Sequence, residues 1–452
     1  MQFAGQRTDM DLNSLEQPDN ILIKLTPDIL PQPHAVLLHG ITPQRTLSEG
    51  ITEAEFAKYF TSQVSTPDTI IVGFNNIRFD NEFIRFTLWR NFHDAYEWSW
   101  KEGCTVWDLL DVVRMTRALR PDGVEWPFGP DGKPSNKLEY LSAVNKLDHT
   151  EAHDAASDVK ASIGLARLLK QKQPELFDYL LNIRQKSRVM PLATAGDPLI
   201  YTSGRYPPEF QKTTIAVMVT EKPDKSGALM YDLRIDPDEF KDIPTSELIK
   251  RWKAWGDDAP YFPVKELKYN RSPAIAPIDM LDDLAARRLG LRREIIDNHL
   301  KKLRGIKDFG DKLLEALDGL WPKQQPRLMI DELEVDGLLY DGFVADQDKP
   351  KMSVVRAATA VEVSKLQLKF TDGRLESLWP LYKARNFPDT LNGDERRVWE
   401  DFRRRKLAGE GDPRSQYFKQ LDELAATPGL PIEKKNLLED LRSYGESITR
   451  AI

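Results

Sequence analysis

The segment TIIVGFNNIRFDNEF at residues 69–83 contains the pattern that decides the fold. Its β-branched run is typical of a buried strand, two asparagines follow where the strand ends, and Phe79, Phe83 and Phe86 have the spacing of one helix face. A strand, a turn and a helix in this order indicate an α/β sheet, whose functional side chains gather beyond the carboxyl ends of the strands. Asp80 stands at that position. It is either a metal ligand or a carboxylate that merely stabilises the helix N-terminus.

A second segment, EAHDAASDV at 151–159, places His153 five residues before Asp158 at the start of a helix. On a regular helix this spacing separates two residues by about 140°, so His153 can face the same site only from the preceding loop. A fixed carboxylate and a loop imidazole are typical of a metal ligand with a general base. A capping histidine beside solvated acids is the alternative interpretation of this segment alone.

Composition limits the classes of protein that the chain can represent. Its 452 residues predict two or three domains, at about 150 residues each. No segment approaches the ~18 apolar residues of a membrane span, and the N-terminus lacks the pattern of a secretion signal. The single cysteine, Cys104, excludes an internal disulfide and a cysteine-rich zinc site, which is typical of the cytoplasm. With a net charge of −7, binding to nucleic acid requires a local basic groove or bound cations.

Three regions follow one another along the chain. Residues 1–172 alternate strand-like and helix-like segments and are predicted to form an α/β domain. Residues 173–327 begin with a helix at Pro174 and continue with short strands punctuated by Pro and Gly, which indicates a small β-rich domain with added helices. Residues 328–452 have mainly helical periodicity. Their basic run RRRK at 403–406 is predicted to be a solvated helix face.

Aromatic and basic side chains alternate between residues 85 and 126. The bases of a single strand stack on aromatic rings without sequence preference, so this segment is a candidate for binding an unpaired strand. Packing in the core or between domains is the alternative interpretation of any one tryptophan. The side chains are Trp89, Trp98, Trp100, Trp107 and Trp126, with Arg85, Arg90 and Lys101.

The motifs around Asp80, His153 and Asp158 together resemble the later motifs of the DEDDh 3′–5′ exonuclease superfamily, and within it the exodeoxyribonuclease I family. The similar stretches run in one order along the chain and are densest over residues 30–180. They are GITPQ (40–44), GFNNIRFDNEF (73–83), WRNFHDAYEWSW (89–100), WDLLDVVRMTRALRPDG (107–123), PSNKLEYL (134–141), AHDAASDV (152–159) and YKARNFPDTL (382–391).

The resemblance implies a fold and a reaction. The fold is a ribonuclease H-like exonuclease domain, an SH3-like β-rich domain and a C-terminal helical domain that close a groove around single-stranded DNA. The reaction releases 5′-mononucleotides from 3′ ends in DNA repair and recombination. In the family, two Mg²⁺ ions clamp the terminal phosphodiester, one activating water and the other stabilising the leaving oxygen.

The resemblance also implies roles for single residues. Asp80 and Asp158 match the metal-binding acids, and His153 matches the general base. Arg120 falls in a stretch that binds the acidic tail of the single-stranded DNA-binding protein, and the protein is expected to be a monomer. The residues expected to bind substrate are Asn76, Arg78, Arg85, Trp100 and Lys137.

One motif of the superfamily, Asp-x-Glu on the opening strand, has no counterpart, because the resemblance at Met1 is already at the second strand. Asp9 and Asp11 lie in a predicted turn and do not replace it. Either the motif is encoded upstream of Met1, or the chain is a non-catalytic protein that binds single-stranded DNA or a partner. We favour the first, because loss of a central strand exposes the backbone of its two neighbours.

The absent first strand leads to two predictions about the structure. The strand containing QFAGQR and the strand containing TIIVGFN should be separated by a gap. The carboxylates of Asp80 and Asp158 should nevertheless lie within roughly 4–8 Å of each other, as a shared metal site requires.

Overall fold

The computed structural model describes residues 1–147, 155–254, 260–320 and 333–450. In the first region the chain alternates strands and helices, as predicted. The strands are β1 (Gln2–Gly5), β2 (Asp19–Leu22), β3 (Ile70–Gly73) and β4 (Thr105–Asp108). The helices are α1 (Pro33–His39), α2 (Pro43–Glu49), α3 (Glu53–Tyr59), α4 (Asp80–Arg90), α5 (Leu109–Leu119), α6 (Leu138–Val144) and α7 (Ala155–Lys172).

The strands of this region lie in two separate pairs. β1 and β2 are antiparallel, with Gln2 opposite Leu22, whereas β3 and β4 are parallel, with Ile70 opposite Thr105. Within the residues that the structure describes, no backbone ladder joins the two pairs, which confirms the predicted split. The pairs still contribute side chains to one apolar cluster, so packing rather than hydrogen bonding holds them together. The cluster includes Phe3, Ile21, Ile71 and Val106.

The middle region is built on an antiparallel sheet with the order β8-β7-β6-β5-β9. The strands are β5 (Leu199–Thr202), β6 (Thr213–Glu221), β7 (Gly227–Asp232), β8 (Val264–Lys268) and β9 (Ala274–Pro277). The helices are α8 (Pro174–Asn182), α9 (Lys186–Thr194), α10 (Thr245–Lys253), α11 (Asp283–Arg288), α12 (Arg293–Gly305) and α13 (Phe309–Asp318). Gly290 adopts a positive φ of 64° between α11 and α12, which separates these two helices.

The last region is helical, as predicted. It begins with a 3₁₀ turn at Val335–Asp341. The helices are α14 (Lys349–Ala357), α15 (Ala360–Val363), α16 (Gly373–Asn386), α17 (Gly393–Ala408), α18 (Pro413–Ala425) and α19 (Ile432–Thr449).

The basic run at 403–406 is not the solvated face that its charge predicts. Arg403 is buried and donates to the carbonyl oxygens of Pro27 and Ile448, at 3.0 and 2.5 Å. Lys406 also turns inward, and its amine lies 2.6 Å from the carboxylate of Asp28. The prediction was wrong for these two residues, because the N-terminal region covers this side of α17. It is right for Arg404 and Arg405, whose side chains are exposed.

The three regions pack as one body. One apolar core runs from α5 and α7 into the β5–β9 sheet, and a second joins Trp89 and Phe92 to the C-terminal helices. Trp89, Trp98 and Trp107 are buried in such contacts, in line with the packing interpretation. Across residues 1–147, 155–254, 260–320 and 333–450, no helix is both long and apolar enough to traverse a lipid bilayer.

Candidate active site

Asp80 is the first residue of α4 and is exposed at the end of the loop that follows β3. The loop is tight: a Cβ added to Gly73 would lie only 2.6 Å from the Cβ of Asn76, so a larger residue does not fit there. The carbonyl oxygen of Asn76 accepts hydrogen bonds from the N–H groups of Phe79 and Asn81. These bonds fix the start of the helix and present the Asp80 carboxylate beyond the strand end, as predicted.

Asp158 reaches the same place from the other strand pair. Its helix, α7, begins against β1, where the N–H of Ala155 lies 3.4 Å from the side-chain oxygen of Gln2. Desolvation raises the pKa of Asp80, and the neighbouring Asp158 carboxylate raises it further. The charge of Asp158 therefore acts on Asp80 across the split. The separation of roughly 4–8 Å remains a prediction, and His153 lies outside the described residues.

The loop that carries Asp80 is anchored by Asp108, the last residue of β4. One carboxylate oxygen accepts from the N–H groups of Asn75 and Leu110, at 2.8 and 2.9 Å, and the other accepts from the N–H of Ile77 at 3.3 Å. Asp108 thereby caps α5 and holds the turn before α4 with the same side chain. Burial raises the pKa of Asp108 to about 6, although all three N–H donors favour its ionised form.

This pKa predicts a pH-dependent contribution to stability. Because the folded chain binds the proton of Asp108 more readily than the unfolded chain, the contribution is complete below about pH 4 and is lost as the pH rises through about 6. The change should be about 2–3 kcal/mol. Urea unfolding of the wild type and of Asp108→Asn between pH 4 and 7.5 measures it. The free energy of unfolding of the wild type minus that of Asp108→Asn should fall as the pH rises across this range. A difference that stays constant with pH would contradict the assignment.

The donor set can be compared with the needs of a divalent cation. Within the described residues, no group of three or more His, Cys, Asp or Glu side chains is arranged to hold a metal. Asp80 and Asp158 supply two carboxylates, and Mg²⁺ is commonly bound by one or two carboxylates with water and substrate phosphate oxygens. The buried amide of Asn76 has no hydrogen-bond partner among the described residues. The side chains present therefore fit one hard divalent cation.

Basic side chains gather where the first region meets the middle one. Arg78 is exposed, and its guanidinium lies beside that of Arg114, since a Cβ on Gly204 would lie within 3.2 Å of both. Lys265 is a third cation at this boundary: desolvation lowers its pKa to about 7, although Asp111 opposes this shift. Arg78 therefore belongs to a group of cations that spacing along the chain does not reveal.

The other residues expected to bind substrate have different surroundings. Trp100 is 64% exposed, and Lys137 is exposed, with its amine 3.6 Å from Glu139. The guanidinium of Arg85 is instead engaged within the protein, 2.7 Å from Glu82 and over the ring of Tyr96. Asn76 is only 3% exposed. The structure thus presents Trp100 and Lys137 on the surface and places Arg85 and Asn76 beneath it.

Arg120, expected to meet the acidic tail of a partner, joins the first region to the middle one. It donates to the carboxylate of Asp282 and to the carbonyl oxygen of Met280, both at 2.9 Å. Its side chain remains about one third exposed. An incoming carboxylate would therefore share this guanidinium with Asp282.

Two residues that shape the site were not singled out by the sequence. Asp108 carries a recognisable signal, because an aspartate between a strand and a helix is a common N-cap. Arg271 contacts the loop before Asp80 from the middle region, and its partners are 194 and 189 residues away in the chain. No local pattern predicts such a contact.

Comparison with known families covers all three regions. The family model for exonucleases matches residues 1–166. The model for the exonuclease I SH3-like domain matches residues 184–318, and that for the exonuclease I C-terminal domain matches residues 333–448.

Individual relatives match nearly the whole chain. Exodeoxyribonuclease I of Escherichia coli (strain K12) is 37% identical over 99% of this chain and 94% of its own length, and that of Haemophilus influenzae is 36% identical over 98% and 94%. The structure of E. coli exonuclease I in complex with a dA16 oligonucleotide superposes with a TM-score of 0.92 at 36% identity, covering 99% of this chain and 95% of that one. Exonuclease I from Methylocaldum szegediense gives 0.91 at 35% identity with the same coverage. The chain, with its exonuclease, SH3-like and C-terminal domains in this order, belongs to the exodeoxyribonuclease I family.

Proposed function

We propose that the protein removes nucleotides one at a time from the 3′ end of single-stranded DNA and releases 5′-mononucleotides. The observation that carries the proposal is that Asp80 and Asp158 approach from opposite sides of the split sheet, closely enough for the Asp158 carboxylate to raise the pKa of Asp80. Two adjacent carboxylates repel each other unless a cation lies between them. Hydrolysis of a phosphodiester is the chemistry that such a cation assists.

In this proposal each residue has a separate task. Asp80 and Asp158 would hold one divalent cation, which we take to be Mg²⁺. When bound, this ion would supply positive charge to the phosphate and its leaving oxygen. His153 accepts a proton from the attacking water, a role carried over from the motif AHDAASDV. Asp108 and the backbone of Asn76 keep the start of α4, and so Asp80, in place.

Exposed aromatic and basic side chains supply the path of the strand. Bases would stack on Trp100 and on the exposed pair Phe79 and Phe83, whose ring centres are 4.9 Å apart. Arg78 and Lys137 would contact phosphates, which gives affinity without sequence preference. The known structures include an E. coli enzyme with an oligonucleotide bound, and this protein is proposed to bind the same class of ligand.

A second proposed ligand is the acidic tail of a single-stranded DNA-binding protein. One of the similar structures is described as SSB/exonuclease I in complex with an inhibitor. The partly exposed Arg120 beside Asp282 supports a carboxylate-binding site at this position. We further propose that the protein acts as a monomer in the cytoplasm, in DNA repair and recombination.

The test uses two oligonucleotides of one sequence, each with a fluorophore at its 5′ end. One has a free 3′ hydroxyl, and the other carries an inverted nucleotide that blocks the 3′ end. With Mg²⁺ we expect loss of the free strand, release of 5′-mononucleotides and protection of the blocked strand. EDTA should stop the reaction.

Two outcomes would contradict the proposal. Equal degradation of both strands would show that the 3′ end is not the substrate. Salt-dependent binding of both strands without cleavage would instead support the alternative interpretation, a non-catalytic DNA-binding protein that lacks the Asp-x-Glu motif.

A further inference from the structure

Arg271 lies in the turn that joins β8 to β9 and reaches out of the SH3-like domain into the exonuclease domain. Its Nη1 atom donates to the carbonyl oxygen of Ile77 at 2.9 Å and lies 3.5 Å from the carboxylate of Glu82. Ile77 precedes Asp80 by three residues, and Glu82 follows it by two. One guanidinium from another domain therefore contacts the chain on both sides of the candidate metal ligand.

The two contacts complete a set that immobilises the start of α4. The N–H of Ile77 donates to Asp108, and its carbonyl oxygen accepts from Arg271, so this peptide group is held from both sides. Glu82 is also bound by Arg85 of its own helix at 2.7 Å and by the hydroxyl of Tyr340 from the C-terminal domain. Glu82 thus joins all three domains.

Burial strengthens these contacts. The side chains of Arg271 and Glu82 are 33% and 28% exposed, and Arg85 is 13% exposed. Such a partly buried network is less screened by solvent than a surface ion pair. Arg271 comes from the SH3-like domain and therefore couples this domain to the position of Asp80.

We propose that Arg271 is a positioning residue of the nuclease site: it holds Ile77 and Glu82 so that the carboxylate of Asp80 is oriented to bind a divalent cation. The proposal rests on the proposed function and gives the SH3-like domain a part in catalysis. Loss of residues that orient metal ligands typically costs 10–100-fold in metal affinity or activity.

The neighbouring residue provides a matched control. The hydroxyl of Ser272 donates to the carbonyl oxygen of Val106 at 2.6 Å and lies 3.4 Å from the carbonyl oxygen of Arg184. Ser272 therefore lies at the same domain boundary as Arg271. Within the part of the chain that the structure describes, neither of these hydrogen bonds reaches the loop before Asp80. If Arg271 served only to hold the domains together, Arg271→Ala and Ser272→Ala would have similar effects.

The experiment measures metal binding and catalysis separately in the full chain. Mn²⁺ binding is followed by electron paramagnetic resonance, and kcat and KM are measured with a 3′-ended oligonucleotide. For Arg271→Ala we expect Mn²⁺ affinity to fall about tenfold and kcat to fall about 10–100-fold, with KM changed less than about threefold. Arg271→Lys, which keeps one charged donor, should recover part of both losses. Ser272→Ala should match the wild type.

The outcomes separate this inference from the proposed function. A wild type that binds Mn²⁺ but leaves the oligonucleotide intact would remove the proposed function, while the Mn²⁺ titration of the variants would still test Arg271. Equal Mn²⁺ affinity in wild type and Arg271→Ala, or equal losses in Arg271→Ala and Ser272→Ala, would overturn the positioning role. If Arg271→Ala does not fold, the comparison of Arg271→Lys with Ser272→Ala decides in the same way.

Discussion

Asp80→Asn is expected to reduce the rate of 3′-end degradation by about a thousandfold, because a neutral amide cannot replace a carboxylate as a ligand for a hard divalent cation. A thousandfold loss corresponds to about 4 kcal/mol of transition-state stabilisation. The rate is measured by single-turnover release of the terminal nucleotide at saturating Mg²⁺. Asp122→Asn, which changes an exposed aspartate in another loop, is the control and should keep the wild-type rate.

The same substitution should raise stability in the absence of metal. The pKa of Asp80 is raised by desolvation and by Asp158, so the folded state disfavours its charge. A group of this kind contributes stability that is present below its ordinary pKa and is lost at neutral pH. The asparagine keeps the neutral state, and we expect a higher Tm at pH 7.5 in EDTA. A less than tenfold loss of rate, or a lower Tm, would contradict the assigned role.

Arg385→Met is expected to lower the free energy of unfolding by about 3–5 kcal/mol, because it removes one of the two cations that neutralise a buried carboxylate. Arg385 lies in the segment YKARNFPDTL and is 3% exposed. It forms paired hydrogen bonds of 2.7 Å with Asp336, and its Nη2 atom lies 2.7 Å from Asp28, which is completely buried. Burial opposes ionisation of Asp28, but Arg385 and Lys406 outweigh it and hold the pKa of Asp28 well below its usual range.

Urea unfolding at pH 7 measures the effect of Arg385→Met. Arg404→Met is the matched control, because Arg404 lies in an exposed pair with Asp401 on α17 and should contribute less than about 1 kcal/mol. Adding Asp28→Asn to Arg385→Met should recover part of the loss, since it removes the buried charge that has lost one of its two cationic partners. If Arg385→Met and Arg404→Met destabilise equally, the ion pair has no special role.

Sequence alone determined the features that depend on neighbouring residues. The run TIIVGFNN predicted a strand that ends in a turn, and Asp80 begins the helix after it, as found. The same local reasoning predicted α7 with Asp158 in its first turn and the strands β6 and β7. These predictions succeed because side-chain periodicity and turn residues act within about one helical turn or strand length.

Only the tertiary structure decided which charged residues meet. The motif YKARNFPDTL marked the family, but its arginine forms a buried ion pair with Asp28, 357 residues away. The run at 403–406 looked solvated, yet Arg403 and Lys406 bind the N-terminal region. Arg271 reaches the loop before Asp80 from another domain. A charged side chain has no periodic signal that names its partner, since the partner is set by how distant segments pack, and packing is decided by the whole chain.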